Sequence, residues 1–420
     1  MCSRTAFLCG IVFALTIPYA TAGTYSGGSG TAEDPYQIAN ANDVISLGQT
    51  PDDYDRHFIL TADINLSAYT FNRAVIAPDM DNLADGFQGT AFSGVFDGRG
   101  HRILELRIYG GGRSYYLGLF GRTDSPASIS NVGVHVANIG GPRCVGAIVG
   151  SNLGTITKSY SAGFLSGAFV GGLVGCNEGG KIIASYSTAG IGSLMFGSCV
   201  GGLVGCNDGG MIIASCSTGT VRGVDRVGGL VGCNGNGRII ASYSAGTVTG
   251  TDCYVGGLVG CNEYGSISGC YSTGAVTGDW AVGGLVGENG FGAVIASFWD
   301  IQTSGQTDSA GGTGLDTAEM QLKQTFVESG WDFVNESANG TEDTWRMCAD
   351  GVDYPRLAWE FAWGGDFDCP DGVGIEDVWY LSGRWLATTP ATVGAADPTG
   401  DGVADLADLA ILAAHWLAGP

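Results

Sequence analysis

The sequence predicts a mainly β chain: a parallel β-helix, or β-solenoid, of about 27 residues per coil, followed by a small C-terminal α-helical domain built around acidic loops. Three observations carry this expectation. A unit opening with "VGGLVG" or a relative recurs at a nearly fixed period. Its residues are strand formers punctuated by glycine. Past Trp363 the composition turns acidic, with two acid-rich loops that each precede an apolar run ending in Trp-Leu.

Aligned on the opening valine, the units begin at Val145, Val170, Val200, Val227, Val255 and Val282, in steps of 25, 30, 27, 28 and 27 residues. A degenerate copy, "LGLFG", occupies Leu117–Gly121. Such a period is the signature of a repeat architecture and outranks any local motif. Glycine every few residues disfavours helix, whereas Val, Ile, Tyr and Thr favour short strands. Each unit therefore reads as one coil of two or three short strands broken by Gly and Asn turns. The glycine-rich run recurs between strands and never ends in GK[ST], which excludes a phosphate-binding loop.

Coils about 4.8 Å apart place like residues over like. Charge is accordingly scarce from Val145 to Ser297. Asn152, Asn177, Asn207, Asn234, Asn262 and Asn289 fall at one place in the unit and are expected to form a ladder of amide hydrogen bonds along the stack. The alternative for each is a turn residue in the left-handed conformation. Further along the unit comes a column of Tyr160, Tyr186, Cys216, Tyr243, Tyr271 and Phe298, whose expected role is packing between coils, with stacking on sugar rings as the alternative. Cys176, Cys206, Cys233 and Cys261 each precede a ladder asparagine. No CxxC spacing marks a zinc site, and parallel side chains disfavour a disulfide stack, so a ladder of small buried thiols is expected. Pairing among Cys144, Cys199, Cys253 and Cys270 stays open. Glu178, Asp208 and Glu263 read as solvated turn residues.

The N-terminus, "MCSRTAFLCGIVFALTIPYATAG", has the charged, apolar and small-residue regions of a secretory signal peptide over residues 1–22. No later apolar run is long enough to span a bilayer. A net charge of −23 argues against nucleic acid, whose binders carry a basic footprint. The cluster Asp79, Asp81, Asp85, Asp97, Arg99, His101 and Arg102 reads as a capping turn rather than a site, and no HExxH or GxSxG occurs. The organisation expected is a signal peptide (1–22), an opening segment (23–115), the repeats (116–300), a closing cap (301–362) and the acidic domain (363–420).

The run "VGGLVGCNEGGKIIASYSTAG" resembles the GLUG repeat of large bacterial surface and secreted proteins. The preceding "GTAEDPYQIANANDVISLG" and the following "SFWDIQTSGQTDSAGGTGLDTAEMQ" are similar to the segments that open and close such solenoids, a similarity that implies a right-handed parallel β-helix. This resemblance implies an extracellular rod with adhesion or surface roles and no catalysis.

The acidic loops follow the calcium-loop pattern of oxygen ligands at positions 1, 3, 5, 9 and 12 with glycine at 6. The second supplies Asp397, Thr399, Asp401, Gly402, Asp405 and Asp408 in that register. The first supplies Asp366, Asp368 and Asp377 at positions 1, 3 and 12, with Pro370 at position 5 and Asp371 one residue late. Together they resemble a type I dockerin, which implies two bound Ca2+ ions and docking to a cohesin-type partner on a scaffold or cell surface. Ile375-Glu376 and Leu406-Ala407 stand where that family's partner-choosing pairs lie, and they depart from its best-known Ser/Thr pairs. The functional expectation is a secreted, non-catalytic β-solenoid tethered through this module, with extracellular glycans as a further class of ligand. The alternative is a polysaccharide lyase or glycosidase built on a β-helix.

Overall fold

The computed structural model describes residues 23–81, 86–112, 114–193, 198–334, 336, 338–364, 375–388, 396–397 and 403–416. The expected signal peptide lies outside these residues, as do Asp85, Asp366, Asp368, Asp371, Thr399 and Asp401.

The repeats form a parallel β-solenoid in which each coil crosses four walls. In one coil these are the strands Phe169–Gly171, Val174–Glu178, Lys181–Ile183, and the pair Tyr186–Ser187 and Gly190–Gly192. Stacked in register, the walls become sheets of seven, seven, ten and fifteen strands. Val145, Val170, Val200, Val227, Val255 and Val282 pair successively along the stack, and Leu117 pairs with Val145 below them. The opening segment is part of the same stack: Tyr36–Ile38, His57–Leu60 and Val95–Asp97 are the first three strands of the ten-stranded wall. Asn40 caps the helix Ala41–Gln49 by accepting from the Asn42 and Asp43 N–H groups, and that helix lays Val44 and Leu47 on the core.

Both ends of the "VGGLVG" run face inward. Val170, Leu173 and Val174 are all fully buried, because the chain turns a corner between the first and second walls at the glycines. Ile182 and Ile191 complete the lining of that coil. The second glycine of the run is required by close approach. A Cβ at Gly172, Gly202 or Gly229 would stand 1.9, 2.1 or 2.1 Å from the Oγ of Ser187, Ser217 or Ser244 on the opposite wall. The interior is therefore narrow, closed by apolar columns with no room for a larger residue at that point.

Past Asp300 the chain does two things. Residues 306–311 cover the last rung, where Gly284 N–H donates to the Asp308 carbonyl (3.0 Å) and Val286 N–H to Ser309 Oγ (2.9 Å). The remainder, including the antiparallel pair Trp345–Arg346 with Arg356–Leu357 and the helix Ala358–Gly364, folds back along the flank of the solenoid over the aromatic column. Asp300 joins the two: Oδ1 caps the short helix Ile301–Ser304, and Oδ2 accepts from Tyr354 (2.6 Å) and Thr317 (2.7 Å). Burial pulls its carboxyl pKa upward, but these hydrogen bonds outweigh burial and leave it lowered.

The helices Ile375–Gly383 and Leu406–Trp416 share a small core of Leu381, Ala396, Ala404 and Leu412. No helix among the described residues is long and apolar enough to cross a membrane.

Candidate functional site

The six asparagines lie in strands of the second wall and pair in register from Asn152 to Asn289. Each of the first five Nδ2 groups donates to the Oδ1 of the next asparagine, at 2.8, 2.7, 2.7, 2.7 and 2.8 Å, and all six donate to the carbonyl of a nearby glycine. Thr123 Oγ1 closes the lower end on Asn152 Oδ1 at 2.8 Å. The left-handed residues of the same turns fall two positions later, at Gly179, Gly209, Asn236, Tyr264 and Phe291.

A second polar column runs beside the aromatic one. Ser159, Ser185, Ser215 and Ser242 are fully buried. The N–H of each of the first three donates to the Oγ of the serine above, at 3.1–3.2 Å. The first serine of "SYS" was its only trace in the sequence, and ladders built from backbone donors leave no residue-type signal stronger than that.

The aromatic column is stacked in two blocks. Tyr160 and Tyr186 lie 5.0 Å apart and nearly parallel, as do Tyr243 and Tyr271. Cys216 stands between the blocks and leaves a notch. Trp359 of the flanking segment sits against it, with its ring 6.1 Å from Tyr186 and its Nε1 donating to the Ala214 carbonyl at 2.7 Å. Tyr271 donates its hydroxyl to the Pro355 carbonyl, and Trp331 and Trp345 pack on the upper block.

Between column and flank lies a groove of about 770 Å³. One side is made of Tyr186, Thr188, Thr218, Tyr243, Ala245, Tyr271 and Thr273, the outward residues of four successive rungs. The other side carries Asp353, Tyr354, Arg356, Trp359 and Glu360, with the disulfide-bonded Cys348. Glu360 is fully engaged: Oε2 accepts from Tyr243 (2.9 Å) and Arg356 (2.9 Å), and Oε1 from the Leu357 N–H (2.8 Å). Asp353 Oδ2 accepts from the Ala349 N–H at 3.0 Å. Burial first, then the Cys216 and Glu360 neighbours, push the Tyr243 hydroxyl well above its ordinary range, so it stays a neutral donor.

The polar cluster of the opening segment separates into local turns. Asp97 accepts from the Arg99 N–H and from Asn131, while Arg102 pairs with Asp63 at 2.6 Å. Burial raises the Asp63 carboxyl pKa, but Arg102 outweighs it and the net shift is downward. Asp79 accepts from the Gln88 N–H (2.8 Å). Glu178, Asp208 and Glu263 are exposed at the turns, with Glu178 reached by Arg122 at 3.3 Å.

The cysteine column needs one correction. Cys176, Cys206, Cys233 and Cys261 do stack in register, but Cys176 is bonded to Cys144, with Cα atoms 5.3 Å apart. Thiols within one column point in parallel, yet the neighbouring wall presents a cysteine at the angle a disulfide needs.

Of the expected calcium ligands, four are described. Asp377 and Asp408, both assigned to position 12, are fully buried, and Asp397 and Asp405 are half-buried. Asp408 Oδ2 accepts from the Asp405 N–H at 2.8 Å. Among the described residues no cluster of three or more His, Cys, Asp or Glu side chains is poised for a metal.

Walls, ladder and lapped groove define a repeat-built parallel β-solenoid. The Glug family model, described as the GLUG motif, matches residues 223–249 and 251–277, each one turn of the solenoid, so the chain carries Glug repeats. Halomucin of Haloquadratum walsbyi is 33% identical over 166 residues, covering 39% of this chain and 2% of that protein. A protein of Evansella cellulosilytica, provisionally named a Gly-rich membrane protein, is 32% identical over 160 residues, 36% of this chain and 18% of its own length. The chain thus spans less than a fifth of either curated relative. A crystal structure from Bacteroides ovatus, provisionally described as an immunoglobulin A1 protease, aligns at 20% identity and a TM-score of 0.49 over 80% of this chain and 95% of its own.

Proposed function

We propose that this chain is an extracellular, non-catalytic surface or adhesion protein whose solenoid flank holds an extended glycan in the groove beneath Trp359. The observation that carries the reading is the composition of that groove. Thr188, Thr218 and Thr273 present hydroxyls from three of four successive rungs about 4.8 Å apart, with Ala245 on the other, and the half-buried rings of Tyr186 and Trp359 are the aromatic faces left open, Tyr243 and Tyr271 being covered by the flank. A repeating wall suits a repeating ligand, with aromatic rings for sugar faces and hydroxyls for their polar edges. Hydrolysis needs two carboxyl groups free to exchange protons at a set separation. Glu360 instead holds Tyr243, Arg356 and Leu357, which supports binding without turnover.

The test is calorimetry of the full chain against neutral and polyanionic oligosaccharides, with a reducing-end assay in parallel. Binding without product, weakened about tenfold or more in Trp359→Ala, is expected from the loss of one stacking face. Release of reducing ends would establish the enzyme reading instead. Failure of every glycan to bind would overturn the proposal.

A second reading concerns the C-terminus. Asp377 and Asp408 are buried at equivalent places in the first turns of the two C-terminal helices, where the position-12 ligands of a calcium loop stand. We propose that Asp366, Asp368, Asp371 and Asp377 hold one Ca2+, and Asp397, Thr399, Asp401, Asp405 and Asp408 a second, forming a dockerin-like module for a cohesin-type partner. Calcium would neutralise these carboxylates and couple its binding to the helix that follows each loop. Adding Ca2+ to chelator-treated protein should increase helical ellipticity; no response refutes the module.

A further inference from the structure

The Cys144–Cys176 bridge joins two fixed places in the repeat. Cys144 precedes Val145 on the first wall, and Cys176 precedes Asn177 on the second wall one coil later. Two coils on, Cys199 precedes Val200 and Cys233 precedes Asn234, and the register keeps both in those columns. The backbones approach in the same way. A Cβ at Gly175, just before Cys176, would stand 2.4 Å from the Cys144 carbonyl carbon, and one at Gly232, just before Cys233, stands 2.6 Å from that of Cys199. One difference matters. Seven residues after Cys144 stands Ser151, where seven after Cys199 stands Cys206, and Cys206 and Cys233 both act on the Cys199 thiol and raise its pKa.

We infer that Cys199 and Cys233 are a redox-active pair that closes a second cross-coil disulfide, and that Cys206 is the thiol through which a small disulfide oxidises them. Cys199 is buried, whereas Cys206 and Cys233 are both partly exposed. The Arg226 guanidinium lies near Cys199, Cys233 and Cys261, a cationic neighbour of the kind that favours thiolates. The Cys199 and Cys233 thiols beside it lower the Cys206 pKa, which raises its thiolate fraction near neutral pH.

With oxidised glutathione the steps balance. The Cys206 thiolate attacks one glutathione sulfur and expels the other as a thiolate. Cys199 then displaces the bound glutathione, giving Cys199–Cys206. Cys233 attacks the Cys199 sulfur and releases Cys206. Two protein thiols are oxidised, one glutathione disulfide is reduced to two thiols, and the two thiol protons leave with them.

The experiment uses the full chain, treated with oxidised glutathione, alkylated and mapped by non-reducing peptide mass spectrometry. The wild type should yield a Cys199–Cys233 cross-link with Cys206 alkylated, and a melting temperature higher by on the order of 5 °C. Cys206→Ser should reach the same bridge at least tenfold more slowly, and Cys233→Ser should stop at Cys199–Cys206. A retained Cys144–Cys176 bridge and unchanged far-UV dichroism establish that each variant is folded, with Cys206→Ala as the substitute if the serine fails. Full alkylation of Cys199 and Cys233 after treatment, or Cys199–Cys206 as the wild-type end product, overturns the pairing. An unchanged rate in Cys206→Ser overturns the role of Cys206.

Discussion

Replacing Asn207 with alanine removes a rung from the middle of the amide ladder. The side chain donates to Asn234 Oδ1 at 2.7 Å and to the Gly210 carbonyl at 3.2 Å, and it accepts from Asn177 Nδ2 at 2.7 Å. Three hydrogen bonds at about 1 kcal/mol each give roughly 3 kcal/mol. Asn234 Oδ1 also loses its donor in a fully buried place, which adds about 1–2 kcal/mol, for a total of about 4–5 kcal/mol. Asn289, at the upper end, among the described residues accepts from Asn262 alone and donates to Gly292 alone, and it is half-buried, so Asn289→Ala should cost about 1–2 kcal/mol. Urea unfolding followed by far-UV circular dichroism measures both as midpoint shifts at a common slope. Asn207→Asp is the control: it keeps the shape but brings a buried charge toward the Gly210 carbonyl and Asn234 Oδ1, and should cost at least as much as alanine at pH 7. Equal losses at Asn207 and Asn289 would refute the ladder in favour of independent turn residues. Wild-type stability in Asn207→Asp would refute the need for the amide donor.

Three further outcomes follow from the same geometry. Gly229→Ala, whose Cβ would meet Ser244 Oγ at 2.1 Å and the Gly257 carbonyl at 2.2 Å, should destabilise by about 2–3 kcal/mol or prevent folding. Gly179→Ala, with open space and only a φ of +83° to tolerate, should cost about 1 kcal/mol in the same unfolding assay. Asp300→Asn should remove part of the stability at pH 7. Because the folded pKa is lowered, the wild-type advantage is complete above the ordinary 3.8 and disappears as the pH falls through the folded value, so the two proteins should converge in thermal melts taken at progressively lower pH.

The stack was legible because a solenoid writes its register into its period. The valines and asparagines that align in the sequence are the residues that pair in space. The inward direction of "VGGLVG" was not legible, since Val170, Leu173 and Val174 are all apolar, and only the corner at the glycines explains how all three reach the core. The groove was hidden for a different reason. Trp359 lies 145 residues from Ala214, whose carbonyl its indole nitrogen reaches, and nothing periodic joins a lapping segment to the coils it covers. The Cys144–Cys176 bridge was missed because reasoning within one column cannot see the neighbouring wall.

The notch at Cys216 makes the flanking segment a gauge of length. Trp359 fits where the tyrosine column is interrupted, while Asp300 and Tyr354 fasten the other part of that segment to the final rung. The span between these anchors matches the number of coils it crosses. A duplicated repeat inserted below Val170 leaves both anchors undisturbed and lengthens the rod. The same insertion between Cys216 and Phe298 moves the keyhole one rung away from its key. A repeat added in the lower part of the stack is thereby compatible with both contacts, whereas one added in the upper coils separates them.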